Sequence, residues 1–343
     1  MSTAAPALPA VREDDPLRQT WQHFADFCRW EQAVGGPDPH MAVMGHVHRE
    51  QSRRELLWAA GLYIGFYNVP TALAVGDRLT QATAADNPNT LGEWVDVWWP
   101  AFGFRRERRP IRTRAKLTRY LHEYARWMDW ALTEEWWRAS RGNPFVRYEE
   151  AWLSCQEVYG LGRYVALKLL EFLRRYAGAP IQLPDLRAKG GWSPREGLAL
   201  LWPEDADRLT GDDSPRNLWT ANDRATATWR AMPEYGLELD RYTLQVLLCD
   251  FKQCLVGRRQ FPGRSQDSEL VYQAKADEHF GADRRMLDAR AELFPHEALG
   301  EISGWSGVRE ELGHVLAEHE YVWSDLLFDY HASKDDLAAP VAR

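Results

Sequence analysis

The chain has 343 residues, 45% of them hydrophobic and 12% aromatic, with 17 tryptophans, four cysteines and a formal net charge of −8. That is apolar surface for a sizeable core, carried by one large domain or two intimately packed lobes. There is no run of about 18 apolar residues, so no membrane-spanning helix is expected, and four scattered cysteines (Cys28, Cys155, Cys249 and Cys254) argue against a disulfide scaffold or a zinc ribbon and for a reducing cytoplasm.

In chain order, residues 1–15 read as a disordered leader, without the basic and apolar regions of a signal peptide. A short amphipathic helix is predicted from Leu17 to Trp30, then a loop at GGPDPH. His46 to Leu79 reads as mostly helical, with Leu56, Leu57, Ala60, Tyr63 and Ile64 at helical spacing and a break at Pro70. ATAADNPNT is predicted as a loop, and residues 91–104 are rich in aromatics. Leu117, Tyr120, Leu121, Tyr124, Met128 and Ala131 share one face of a helix over 113–140. Tyr148, Trp152, Cys155 and Tyr159 predict another, and Ala166, Leu169, Leu170 and Leu173 a third. Residues 177–195 are a Gly/Pro-rich connection and 203–217 an acidic, polar loop. Helices are predicted near 238–256, 267–281 and 306–330, with GRRQFPGRSQD between the first two. There is little period-2 alternation and no internal repeat, so the class is mainly α: a single large helical domain over 16–335 that has room for two lobes.

Charge is unevenly spread. Residues 101–200 carry 19 basic and 11 acidic side chains, net +8, while the flanking segments are net −5 and −11. The basic third begins with RRERRPIRTRAKLTR and holds EVYGLGRYVALKLLEFL. There two helices are separated by Gly160-Leu161-Gly162. Glycine lets the backbone turn tightly and lets a phosphate come close, and the N-terminus of the second helix offers N–H groups and the positive end of its dipole. This is the pattern of a helix-hairpin-helix, here over 147–176, which grips a DNA backbone without reading sequence. The plainer reading is a helix–helix corner with no ligand.

EVYGLGRYVALKLLEFL resembles the hairpin of the DNA-glycosylase superfamily. In that superfamily a catalytic Asp follows some two dozen residues after the hairpin; Asp185 lies 25 after Gly160. The chain departs from the pattern where Tyr164 and Val165 stand in place of a lysine nucleophile. RELLWAAGLYIGFYNVPTALAV, PDLRAKGGWSPREGLALLW and LLCDFKQCLVGRRQFPGRSQD narrow the resemblance, over most of residues 50–270, to a phage-associated branch of that fold: the α-glutamyl/putrescinyl thymine pyrophosphorylases, or amino acid:DNA transferases.

The resemblance implies a reaction on double-stranded DNA. A separate kinase pyrophosphorylates 5-hydroxymethyluracil, and the transferase then displaces pyrophosphate with an amino acid or polyamine. It implies no required cofactor, leaving a monovalent cation at the hairpin as the one ion to consider, and a location in the cytoplasm of a bacterial host. For DNA grip the candidates are Gly160, Gly162, Arg163 and Lys168, with Arg105, Arg106, Arg108, Arg109, Arg112 and Arg114 as phosphate contacts. Asp185 is the candidate general base or electrostatic aid, against the alternative of a turn-forming Asp after Pro184. Cys249 and Lys252 share a helix face, where a lysine would favour a thiolate able to add to the uracil ring; a buried, inert cysteine is the plainer reading. Arg258, Arg259 and Arg264 suit a pyrophosphate. Tyr63, Tyr67 and Asn68 are candidates for the base pocket, or else ordinary core. His314, Glu318 and His319 have metal-ligand spacing, yet they sit far from the basic third and no metal is expected. A DNA glycosylase and a non-catalytic hairpin DNA-binding protein are the competing functions.

Overall fold

A computed structural model describes residues 16–33, 38–105, 108, 111–133, 143–255 and 264–293 of the protein. All regular structure among them is helical, with no strand. The helices are α1 (Pro16–Ala33), α2 (Pro39–Val47), α3 (Arg53–Phe66), α4 (Val69–Gly76), α5 (Gln81–Asp86), α6 (Pro88–Trp98), α7 (Arg114–Thr133), α8 (Pro144–Cys155), α9 (Arg163–Tyr176), α10 (Trp192–Leu201), α11 (Ala206–Leu209), α12 (Pro215–Ala231), α13 (Arg241–Leu255), α14 (Arg264–Phe280) and α15 (Arg285–Leu293). The mainly α class stands. No described helix is long and apolar enough to cross a membrane. The leader at 1–15, the helix expected at 306–330 and His314, Glu318 and His319 lie outside the described residues.

Local signals explain where several helices begin. Asp38, Asn87 and Asn143 each cap a helix that starts with proline, because their side chains accept an early backbone N–H and proline has none to satisfy. Ser52 and Glu55 form a reciprocal capping box at α3. Four expectations change. GGPDPH is not wholly loop, since α2 starts at Pro39. ATAADNPNT is mostly helix: Thr80 caps α5 and Asn87 caps α6. The stretch 203–217 contains a 3-10 turn, α11 and the start of α12. Pro70 does not kink a long helix either. The break comes at Tyr67 and Asn68, and Pro70 lies in the first turn of α4.

Two compact units divide the chain: Met1–Pro37 with Asp185–Arg264 and Phe294–Arg343, and Asp38–Pro184 with Ser265–Leu293. In the first, Trp21, Phe24, Phe27 and Cys28 of α1 share a buried cluster with Leu198 and Leu201 of α10 and Leu244, Leu247, Leu248 and Phe251 of α13. Gly197 lets α10 meet the α13 backbone, since a Cβ there would lie 2.2 Å from the Leu248 carbonyl oxygen. In the second, α3 is buried on every side from Leu56 to Phe66. Gly61 and Gly65 of α3 admit the rings of Tyr124 and Tyr120 of α7. Those phenols donate to the α3 carbonyls of Leu57 and Gly61, each at 2.7 Å. The rigid floor so made carries the hairpin and the tyrosines beside it.

Candidate functional site

The turn between α8 and α9 is longer than the periodicity suggests, because α8 ends at Cys155 rather than at Tyr159. Gly160 adopts φ +83°, where L side chains are strained, and a Cβ there would come 2.7 Å from Ile111. Leu161 is buried and fastens the turn. Gly162 is the N-cap of α9 and supplies no side-chain cap; a Cβ added to it would meet nothing within 4 Å. The two glycines therefore do different work. Gly160 makes the turn, and Gly162 leaves the helix N-terminus open to close approach.

The arginine run divides as well. Arg108 is buried, with Nη1 donating to the Gly160 carbonyl at 3.2 Å and Nε to that of Gly65 at 3.3 Å. It braces the hairpin from inside, and burial lowers its pKa, so it is not a surface phosphate contact. Arg112 donates to the Phe104 carbonyl at 2.7 Å, and Arg114 is exposed and 3.5 Å from Asp96. Arg105 lies over the Tyr67 ring, 5.4 Å from its centroid. Arg106 and Arg109 lie outside the described residues. Arg163, half-buried, opens α9.

Lys168 is corrected outright. It sits on α9 but only 1% of it is exposed, with Nζ 3.1 Å from Asp38 and 3.0 Å from Glu171. Burial alone would lower its pKa; Glu171 and Asp38 outweigh that and hold it well above the usual lysine value. It neutralises two buried carboxylates and does not reach a phosphate. Burial would likewise raise the pKa of Asp38, but Lys168, His40 and the Tyr63 hydroxyl hold it at about 2. Arg175 extends the chain of charges, its Nε 3.0 Å from Glu171.

The proposed base-pocket residues part company. The Asn68 amide is committed to structure: Oδ1 accepts from Thr71 at 2.9 Å and Nδ2 donates to the Gly103 carbonyl at 2.6 Å. It is a buried helix cap, not a reader of a uracil edge. Tyr63 and Tyr67 turn their hydroxyls to Asp38, at 2.9 and 3.3 Å. The Tyr67 hydroxyl also meets that of Tyr164 at 2.9 Å. An Asp before a Pro is a helix-start signal, but nothing local in the sequence shows that Asp38 also collects Tyr63 of α3, Tyr67 at its end and Lys168 of α9.

In the first unit, Asp185 is part-exposed and accepts the Arg187 backbone N–H at 2.8 Å. Arg187 is left-handed at φ 50°, which folds LPDLRAKGG tightly around the carboxylate. The Asn222 amide approaches the other oxygen at 3.5 Å. Asp185, Thr226, Arg241 and Leu244 line a small cleft, and burial lowers the Arg241 pKa, reinforced by Arg230 and partly offset by Asp185. Asn222 lies on α12, which the spacing does not predict; Arg241 opens the predicted α13, but nothing local shows that it lines a cleft with Asp185.

Cys249 and Lys252 each have a partner on α10. The Cys249 thiol meets the Ser193 hydroxyl at 3.0 Å, and Lys252 Nζ is 2.5 Å from Glu196. The lysine charge is shared with a carboxylate on α10, and the thiol is held by a hydroxyl of the same helix. Arg258 and Arg259 lie outside the described residues, and of Arg264 only the start of α14 is described. No group of three or more His, Cys, Asp and Glu among the described residues is arranged to hold a metal.

A family model described as amino acid:DNA transferase matches residues 32–260. No curated protein and no solved structure matches the chain.

Proposed function

The chain belongs to the amino acid:DNA transferase family and is a DNA base-modifying transferase, and from that premise we propose that it displaces pyrophosphate from 5-(pyrophosphoryloxymethyl)uracil in DNA with an amine nucleophile. The bond from the exocyclic methylene to oxygen breaks and pyrophosphate leaves with the electron pair. The amine nitrogen bonds to the methylene and loses a proton. A kinase acting on 5-hydroxymethyluracil in DNA must act first, because hydroxide is a poor leaving group and pyrophosphate a good one.

The observation that carries the DNA part is the hairpin: a turn that only Gly160 makes without strain, followed by an open, uncapped helix N-terminus at Gly162. An anion is welcome there, where backbone N–H groups and the helix dipole point the same way. In this reading Arg163, Arg105 and the exposed Arg114 add phosphate contacts, with Arg106 and Arg109 assigned on residue type alone. Asp185, folded between its own turn and Arg241, serves as the base or as the fixed charge beside the ring. Arg258, Arg259 and Arg264 are assigned to pyrophosphate on residue type alone. The arginine-rich loops favour an amino acid over a polyamine, since a carboxylate needs a cation.

The test is nucleoside mass spectrometry after incubating the full chain with DNA carrying the pyrophosphorylated base and an amino acid. The expected product is retained DNA with the amine in place of pyrophosphate. Free base and abasic sites without adduct would make the protein a glycosylase and sink this reading.

A further inference from the structure

The second unit buries a hydrogen-bonded chain for which the transfer step, as described, has no use. It runs from Glu171 through Lys168 and Asp38 to Tyr67 and Tyr164. What each group can donate decides how its protons are arranged. An ionised carboxylate only accepts, and Lys168 keeps Asp38 ionised. Tyr67 has one hydroxyl proton and gives it to Asp38 Oδ2. The Tyr67 oxygen then accepts from Tyr164, 2.9 Å away. The Tyr164 proton is thereby directed inward, and its oxygen acts as an acceptor.

Tyr164 is 39% exposed, two residues beyond Gly162 in the first turn of α9. Its inner partner is held with unusual care. Tyr67 adopts φ 55° and ψ 33°, a conformation that bulky side chains rarely take and that persists only where the surroundings impose it. The Arg105 guanidinium covers its ring, and Tyr63 and the Met41 backbone N–H occupy the other oxygen of Asp38.

The geometry points to Tyr164 as a substrate-contacting residue whose hydroxyl oxygen, oriented by Tyr67 and Asp38, accepts a hydrogen bond from an N–H of the reacting partners. That N–H belongs to the ring imide of the uracil or to the incoming amine. Tyr67 and Asp38 are positioning residues; Asp38 is too weak a base to take the amine proton itself. The inference deepens the transferase reading and rests on it.

The experiment compares kcat and KM for amine and for modified DNA in the wild type, Tyr164→Phe, Tyr67→Phe and the double variant. Thermal melts and affinity for unmodified duplex DNA are measured alongside. Tyr164→Phe is expected to lower kcat/KM by about tenfold or more, with melt and duplex affinity unchanged. Tyr67→Phe is expected to reproduce that loss, and the double variant to be no worse than Tyr164→Phe, which a merely structural role for Tyr67 would not produce. A rise in KM for the amine assigns the donor to the amine; a loss confined to modified DNA assigns it to the base. Full activity of Tyr164→Phe, or additive losses in the double variant, overturns the inference while leaving the transferase reading intact. A wild type that forms no adduct overturns both.

Discussion

Gly160 and Gly162 look alike in the sequence and differ in their surroundings, which makes them separable by mutation. Gly160→Ala forces a Cβ into a left-handed residue and against Ile111, at a cost of about 1–2 kcal/mol from the backbone alone; a lowered melting temperature is expected, with DNA binding lost as the turn distorts. Gly162→Val meets open space, so the melt should barely move while the open approach is blocked and duplex affinity falls. Equal melts for the two variants would contradict this division. Cys249 has the Ser193 hydroxyl beside its thiol, and Lys252 is paired with Glu196. Cys249→Ser is therefore expected to keep adduct formation within about threefold of the wild type; abolished transfer would restore the thiolate mechanism.

At the scale of elements, α9 meets the start of α2 through buried charges, to which α3 adds the Tyr63 hydroxyl. A buried pair is dangerous to halve. Lys168→Met leaves Asp38 buried without its cation, while Glu171 keeps only Arg175, and chemical denaturation should show a loss of about 3–5 kcal/mol. The pH dependence follows from the signs. Asp38 is held at about 2 against an ordinary value of 3.8, so it contributes stability that is present above about pH 4 and is lost as pH falls towards 2, on the order of 2 kcal/mol. Lys168 is raised, so its contribution is present below its ordinary value and is lost only in strong alkali. Denaturation midpoints of the wild type should therefore fall below pH 4, and those of Asp38→Asn should fall less over the same range. Parallel curves would remove Asp38 from that account.

Over the whole molecule, a net charge of −8 and a DNA substrate are reconciled by distribution, since residues 101–200 are net +8. An acidic protein that meets DNA through one basic region should bind with a steep dependence on salt, log K falling by about 0.9 per phosphate neutralised for each unit of log salt. Arg163→Gln should reduce that slope by about one and leave the melt unchanged. A flat salt dependence for the wild type would remove the hairpin from the interface.

The sequence by itself determined the helical class, the glycine turn between two helices and its basic surroundings, because these rest on local rules: apolar spacing, glycine in a turn, like charges close along the chain. It also carried the family, through phrases spread over most of residues 50–270. Its failures have physical reasons. α5 is only six residues long, too short for a periodic pattern, and the buried face of α12 is made of Ala and Thr rather than large apolar residues, so neither stands out by apolar spacing. Residue type alone makes Lys168, Arg108 and Asn68 surface or pocket candidates. Whether a polar side chain faces solvent or a buried partner depends on residues far along the chain: Asp38 for Lys168, Gly160 for Arg108, Gly103 for Asn68. Only the tertiary structure brought Asp38, Tyr67, Tyr164 and Lys168 together. Burial decides the outcome there, since a lysine removed from water keeps its charge only beside carboxylates, and those carboxylates in turn decide which way the tyrosine protons point.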